Sequence, residues 1–380
     1  MRGTTIFLAG GEVETLTNAL VDNGVRWILY SFYYMWEFNK FDFIERMQDK
    51  HPEITWFLDS GAFTYSVQAK KKPLPSPQAY ARLYFEFIQR QGHRWHRIAE
   101  LDLDGIEGLN ISEGQVEDWT NEMLMSWPDL PIMPCWHGWR GWQAWERYLK
   151  DPRIRHLAFG RASMNDRVRR KMCLTARSVN KTVHGFGFTK LKTSLNLVPC
   201  DSVDSTSWVL GQKFGTLYVF QGDKLHVLDS EKKDQRRRFR RYFEGIGCDP
   251  KLIEADDVAE LRKANVIAWR NVAERFQSLK ERRDHVVPLL QGLTPDERFL
   301  SRDELPPNTE RALGRVPGVT ERATAPLERE TSLPSKVPLE RTTSEPSPRR
   351  GMLRPLAGFG VPNDAFIGAA HPRRKEPRER

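Results

Sequence analysis

Eight short runs rich in apolar and β-branched residues recur through the first 210 residues, each parted from the next by a helix-like segment. They are Thr4 to Ala9, Trp27 to Phe32, Ile54 to Asp59, Ile98 to Asp104, Ile132 to His137, His156 to Gly160, Val183 to Phe188 and Pro199 to Asp204. The intervening stretches, such as Pro77 to Gln91 and Trp139 to Lys150, repeat their apolar residues at three and four with charges between, which is the helical period. Eight strand-helix units predict an α/β fold, a closed parallel (β/α)8 barrel of the TIM type. An open doubly wound sheet is the competing arrangement, but no GxGxxG follows the first run.

Residues 1–210 are therefore read as the catalytic barrel. Beyond it, Leu217 to Phe220 and Leu225 to Leu228 flank Gln-Gly-Asp-Lys and read as a β-hairpin, and 230 to 283 reads as charged helix. Residues 211–290 are thus expected to form a hairpin and helical extension packed on the barrel. From about residue 300 the composition changes: the last 80 residues hold half of the 24 prolines and no Trp or Tyr. Such a segment cannot build a core, so 291–380 is expected to be a disordered, basic, Pro-rich tail, either a spacer or an aid to nucleic-acid affinity.

Four scattered cysteines with no CxxC or CxC spacing support neither a disulfide framework nor a cysteine zinc site. No metal or cofactor is expected. No apolar run approaches membrane-spanning length, and the N-terminal apolar stretch is too short for a secretion signal, so a soluble cytoplasmic protein is expected, in the host's cytoplasm if phage-encoded. The net charge of +9 favours a polyanionic partner. The densest basic runs hold Arg167, Arg169, Arg170 and Lys171, and Arg236, Arg237, Arg238, Arg240 and Arg241; each run is either a nucleic-acid contact or a solvated helix face.

Chemistry concentrates at the ends of the predicted strands. Asp59-Ser-Gly-Ala-Phe-Thr64 puts a carboxylate and a glycine turn where the third run emerges, and (β/α)8 barrels keep their catalysts at that end. Asp201-Ser-Val-Asp204 closes the eighth run; strand alternation turns only one of the two aspartates inward, and Asp204 is nearer the rim. On Arg97 to Asp104 the same period puts Glu100, Asp102 and Asp104 on one face, lining the interior unless an Arg or Lys of a neighbouring strand pairs with them. Two carboxylates on opposed walls suit displacement at an anomeric carbon, one attacking while the other handles protons.

These motifs carry a family resemblance. DSGAFT resembles the DSGGF motif of the tRNA-guanine transglycosylases, and DSVDSTSW resembles their second aspartate motif. Between them, His156-Leu-Ala-Phe-Gly160-Arg161 is similar to the AIGG segment and His184-Gly-Phe-Gly187 to the glycine-rich strand end, in the same order, over about residues 54 to 208. The resemblance implies that Asp204 is the nucleophile at C1′ and that Asp59 is the general acid/base. It further implies that Asp102, with Asp104 behind it, reads the guanine edge, that Gly160 offers backbone to the base, and that Phe63 and His184 sandwich it.

The chain also departs from that family. His137 stands where the tRNA enzymes carry glutamine, and Arg161 replaces a glycine, so both are expected to alter contacts to the base. The zinc run CxCxxC with its later His is missing from these 380 residues. That combination resembles the DNA-guanine transglycosylases of deazaguanine DNA modification in phages and some bacteria, the DpdA type. It implies exchange of guanine in DNA for a free 7-deazaguanine base such as preQ0, with helper proteins of a modification system as further partners. Trp136, Trp139, Trp142 and Trp145 could stack on an opened strand or serve packing alone. The alternatives are the same chemistry on tRNA, a barrel N-glycosidase using water, and a non-catalytic nucleic-acid-binding relic.

Overall fold

The computed structural model describes residues 4–106, 108–160, 166–188, 199–209, 215–229 and 233–278. Arg161 and the segment 291–380 lie outside the described residues. Nine parallel strands form one sheet in the order β5-β4-β3-β2-β1-β9-β8-β7-β6. They are β1 (Thr5–Ala9), β2 (Trp27–Ser31), β3 (Thr55–Asp59), β4 (Arg97–Ala99), β5 (Ile132–Met133), β6 (Cys135–Trp136), β7 (His156–Phe159), β8 (Thr182–Gly185) and β9 (Ser202–Ser205).

β5 and β6 are the two halves of the fifth predicted run, parted at Pro134, which has no N–H to give to a ladder. This one segment accepts from both sides: Ile98 and Glu100 N–H donate to the Pro131 and Met133 carbonyls, Ala158 and Gly160 N–H to those of Pro134 and Trp136. The ends of the sheet therefore meet, which makes it a TIM-like barrel and excludes the open sheet. Seven helices precede or follow the early strands, α1 (Glu14–Asp22), α2 (Phe32–Glu37), α3 (Phe41–Lys50), α4 (Ala62–Ala69), α5 (Pro77–Gln91), α6 (Glu113–Ser126) and α7 (Gly141–Lys150), and α8 (Asp166–Ser178) lies between β7 and β8.

Strand alternation sorts the core into two shells. Phe7, Ala9, Leu29, Phe57, Ala99, Met133, Cys135 and Ala158 fill the barrel interior. Their buried neighbours, such as Ile6, Leu8, Ile28, Trp56, Leu58 and Leu157, fall on the alternate face of the same strands, where the helices pack.

β4 is shorter than its run of alternating residues. It ends at Ala99, and the Leu103 N–H bonds back to the Leu101 carbonyl in a three-residue turn. The alternation expected to aim Glu100, Asp102 and Asp104 together stops there, with consequences for the site.

The hairpin is present as expected, β10 (Leu217–Gln221) against β11 (Lys224–Leu228). Its turn residues Gly222 and Asp223 have φ of 58° and 61°, the left-handed pair whose twist suits a two-residue hairpin. Leu217, Val219 and Leu228 share a small core with Phe243, Cys248, Ile253, Leu261 and Ala264. The long helix Val258–Ser278 packs against β10, β1 and α1. Buried Asn265 fastens it, accepting from Tyr218 N–H at 2.7 Å and donating to the Thr216 carbonyl at 2.9 Å. A helix against β1 after the last barrel strand holds the position of the ring's eighth helix, so the segment beyond residue 210 completes the barrel as well as extending it. Among the described residues no helix is long and apolar enough to cross a membrane.

Candidate active site

Asp59 is the last residue of β3 and shares its inward face with Phe57. Gly61 follows at φ 74°, and a Cβ there would lie 2.5 Å from Tyr33 Cβ and 2.7 Å from Ser31 Oγ, so the turn admits glycine alone. The Gly61 N–H donates to Asp59 Oδ2 at 3.1 Å. Burial, together with the charges of Asp102 and Asp204, pushes the Asp59 carboxyl up to about 7. Asp59 is thus poised to hold or release a proton near neutrality.

Asp204 lies on β9 with its side chain opposite in direction to fully buried Val203, as the alternation predicts. Its Oδ1 accepts the Gly187 N–H at 2.7 Å and lies 3.3 Å from His184 Nε2. His184 Nδ1 is in turn 2.9 Å from Ser202 Oγ. Burial pulls the His184 pKa down, so the ring is neutral and has one N–H; with Ser202 donating to Nδ1, that N–H faces Asp204. The His184 ring packs edge-on against Phe57 and Phe186, with centroids 4.7 and 4.6 Å away. Phe57 stands two residues before Asp59, so this aromatic floor runs between the two aspartates. Asp201 is placed differently, bonded to Arg177 and the Val183 N–H.

Asp102 sits at the centre of the turn after β4, its side chain 20% exposed, with Oδ2 2.7 Å from His137 Nε2. The His137 ring is tightly held. Trp139 stacks on it at 4.3 Å and 8°, and a Cβ at Gly160 would come within 2.5 Å of it. Among the described residues no Lys or Arg pairs with Asp59, Asp102 or Asp204; histidine rings are the side-chain hydrogen-bond partners of the last two.

Several expected site residues have other positions. Asp104 is buried and bonded by Arg140 through two nitrogens and by Trp139 Nε1 at 2.8 Å; Glu100 takes Arg140 Nη1 and Thr120 Oγ1. Burial works against the Asp104 charge, yet these bonds hold its carboxyl below the usual range. The cation pairing both acids comes from the loop after β6, not from a neighbouring strand. Of the three acids expected to line the interior, Asp102 alone opens to the mouth.

Gly160 gives its N–H to the Trp136 carbonyl and its open face to the His137 ring, so its backbone N–H is committed within the barrel. His184, expected to sandwich a base, is 2% exposed, with its two ring nitrogens engaged by Ser202 and Asp204. Phe63, on the first turn of α4, is 63% exposed at the rim, and Trp139 is 50% exposed. Trp145 is buried and bonds Thr175, a packing role, while Trp142 lies under Lys171.

Among the basic residues, Arg236 is 1% exposed and bonds the Ile253 and Gly215 carbonyls and Asp256, so it braces the extension and cannot meet a phosphate. Arg237, Arg238, Arg240 and Arg241 are all exposed, and of these Arg237 and Arg240 pair with Glu254. Arg167, Arg169, Arg170 and Lys171 stand on the first turns of α8, the end that starts from the barrel mouth; Arg169 pairs with Asp166 and covers Phe188.

Two residues escaped the sequence reading. Glu12, just past β1, is buried, accepts the Ser31 N–H at 2.8 Å and is pushed up to about 7 by burial. Its charge also bears on Asp59. The sequence signal was an acid directly after a strand-ending Gly10-Gly11. Cys135 lies beside Asp102 and His137, and the Cys-Trp-His spacing on a strand was the signal for it.

No family model matches this chain, and no curated protein matches it. The assignment of function therefore rests on residues and geometry.

Proposed function

We propose that this protein exchanges guanine in DNA for a 7-deazaguanine base through a covalent aspartyl-deoxyribose intermediate. The observation that carries the reading is the gathering of Asp59, Asp102 and Asp204 at one end of the barrel in unlike environments. Asp59 is held near neutrality, and Asp204 is oriented by the Gly187 N–H and His184. Unlike environments for two carboxylates separate the proton-handling role from the nucleophilic one.

In this mechanism the Asp204 carboxylate attacks C1′, the C1′–N9 bond breaks, and the protonated Asp59 carboxyl gives its proton to the departing guanine. The Asp59 carboxylate then takes the N9 proton of the incoming base. That nitrogen attacks C1′ from the opposite face and releases Asp204 as a carboxylate; two inversions retain the configuration. Asp102 and His137 meet the base edge, and Phe63 at the rim offers a face for stacking. A base must leave the helix stack to enter such a mouth, and the net charge of +9 suits a polynucleotide. DNA is favoured over tRNA because the zinc run of the tRNA enzymes has no counterpart in these residues.

The test is nucleoside analysis of digested DNA and tRNA from cells making the protein with a supply of preQ0. A deazaguanine deoxynucleoside in DNA supports the reading. Modification confined to tRNA would move the activity to RNA, and no modified nucleoside in either pool would overturn it.

A further inference from the structure

We infer that Asp102, Cys135 and His137 bind a zinc-like divalent metal ion in the wall of the barrel mouth. Cys135 belongs to β6, and His137 follows it by two residues, so both side chains leave the strand on the same inward face. Asp102 reaches them from the turn after β4. One donor atom of each, sulfur, imidazole nitrogen and carboxylate oxygen, lies within 4.8 Å of the others. Donors about 2.0 to 2.3 Å from a tetrahedral zinc stand roughly 3.3 to 3.8 Å apart, so the His137–Asp102 hydrogen bond of 2.7 Å opens by less than about 1 Å to admit the ion.

The charge balance fits as well. A thiolate, a carboxylate and a neutral imidazole together offset a divalent cation, the thiol proton passing to solvent as the metal–sulfur bond forms. Asp59 and Asp204 add negative potential from the same mouth, and the Arg140 guanidinium nearby is already matched by Glu100 and Asp104.

The frame is rigid. Arg140 Nη1 bonds the Cys135 carbonyl at 2.7 Å, Trp136 Nε1 bonds the Gly141 carbonyl at 2.6 Å, and Trp139 and Gly160 fix the imidazole plane. Cys135 is 1% exposed, whereas His137 and Asp102 are 12% and 20% exposed, so the ion would be closed in from below and open towards the mouth. Three protein ligands with one open position are typical of zinc sites that also take a water or an exogenous ligand. Binding does not depend on which reaction the mouth performs. It would occupy the Asp102 carboxylate otherwise offered to a base, so metal and base compete.

Cobalt(II) titration of the chelator-treated full-length protein tests this by absorption alone. One equivalent should give a sulfur-to-cobalt charge-transfer band with the visible bands of a tetrahedral ion, and one equivalent of zinc should bleach them. Cys135→Ser should remove the charge-transfer band, and His137→Asn should weaken cobalt affinity by at least about tenfold. The double variant Cys173→Ser/Cys200→Ser, altering the buried pair whose sulfurs lie 3.6 Å apart, should leave the spectrum unchanged. Thermal melts confirm that each variant is folded. The inference is overturned by no charge-transfer band in the wild type, by a band that survives in Cys135→Ser, or by one that needs Cys173 and Cys200. None of these readings touches base exchange, so the two proposals fail separately.

Discussion

Asp59 and Asp204 are the same residue type near the ends of strands in one barrel, and their neighbours give them different surroundings. The folded state favours the neutral form of Asp59, because burial and two nearby carboxylates oppose its charge. Its folded pKa of about 7 exceeds the unfolded value, so the unfolded chain binds fewer protons between about pH 4 and pH 7. Stability should therefore fall as pH rises through that window. Asp59→Asn should raise Tm at pH 8 by a few degrees, the order expected for 1–2 kcal/mol, and by much less at pH 4; an equal gain at both values would show that Asp59 is not held neutral. His184→Phe keeps the packed ring but loses the bonds to Asp204 and Ser202. Base exchange should slow by about 10- to 100-fold in kcat with little change in KM, since one hydrogen bond to a charged group is worth about 1.5–3 kcal/mol. At this scale the strand-end positions of Asp59 and Asp204 were legible in the sequence because strand ends and alternation are local. It hid the engagement of Asp104, because the arginine that takes it lies 36 positions away. Glu12 was hidden likewise, its partner Ser31 being on the next strand.

The elements show where periodicity stops being informative. All eight runs became strands, yet the fourth ends at Ala99 while its alternating residues continue to Asp104, because hydrogen bonding to the neighbours, not polarity, sets where a strand ends. Pro134 splits the fifth run without opening the barrel, since its carbonyl still accepts from Ala158. Two substitutions probe the loops that carry the site. Gly61→Ala places a Cβ on Tyr33 in left-handed backbone and should cost at least about 2 kcal/mol, measurable by denaturant unfolding. Arg140→Met leaves Glu100 and Asp104 unpaired in a buried setting and should cost about 3–5 kcal/mol. An Arg140→Met protein as stable as the wild type would show that the buried network does not hold the loop after β6.

For the whole molecule, a positive charge excess does not make every arginine a nucleic-acid contact. The run Arg236 to Arg241 reads as one basic patch, but helical geometry turns Arg236 into the extension's core and leaves Arg238 and Arg241 outside. Arg238→Ala with Arg241→Ala should weaken DNA binding and flatten the slope of log affinity against log salt by up to about 1.8, with thermal stability unchanged. An unaltered slope would place DNA on another face. The most direct test of the central claim is incorporation of isotope-labelled guanine into duplex DNA, which needs no knowledge of the natural incoming base. The account predicts labelled deoxyguanosine in the digested DNA with the wild-type protein and none with Asp204→Asn; incorporation by Asp204→Asn at the wild-type rate, or no incorporation by the wild type, would contradict it.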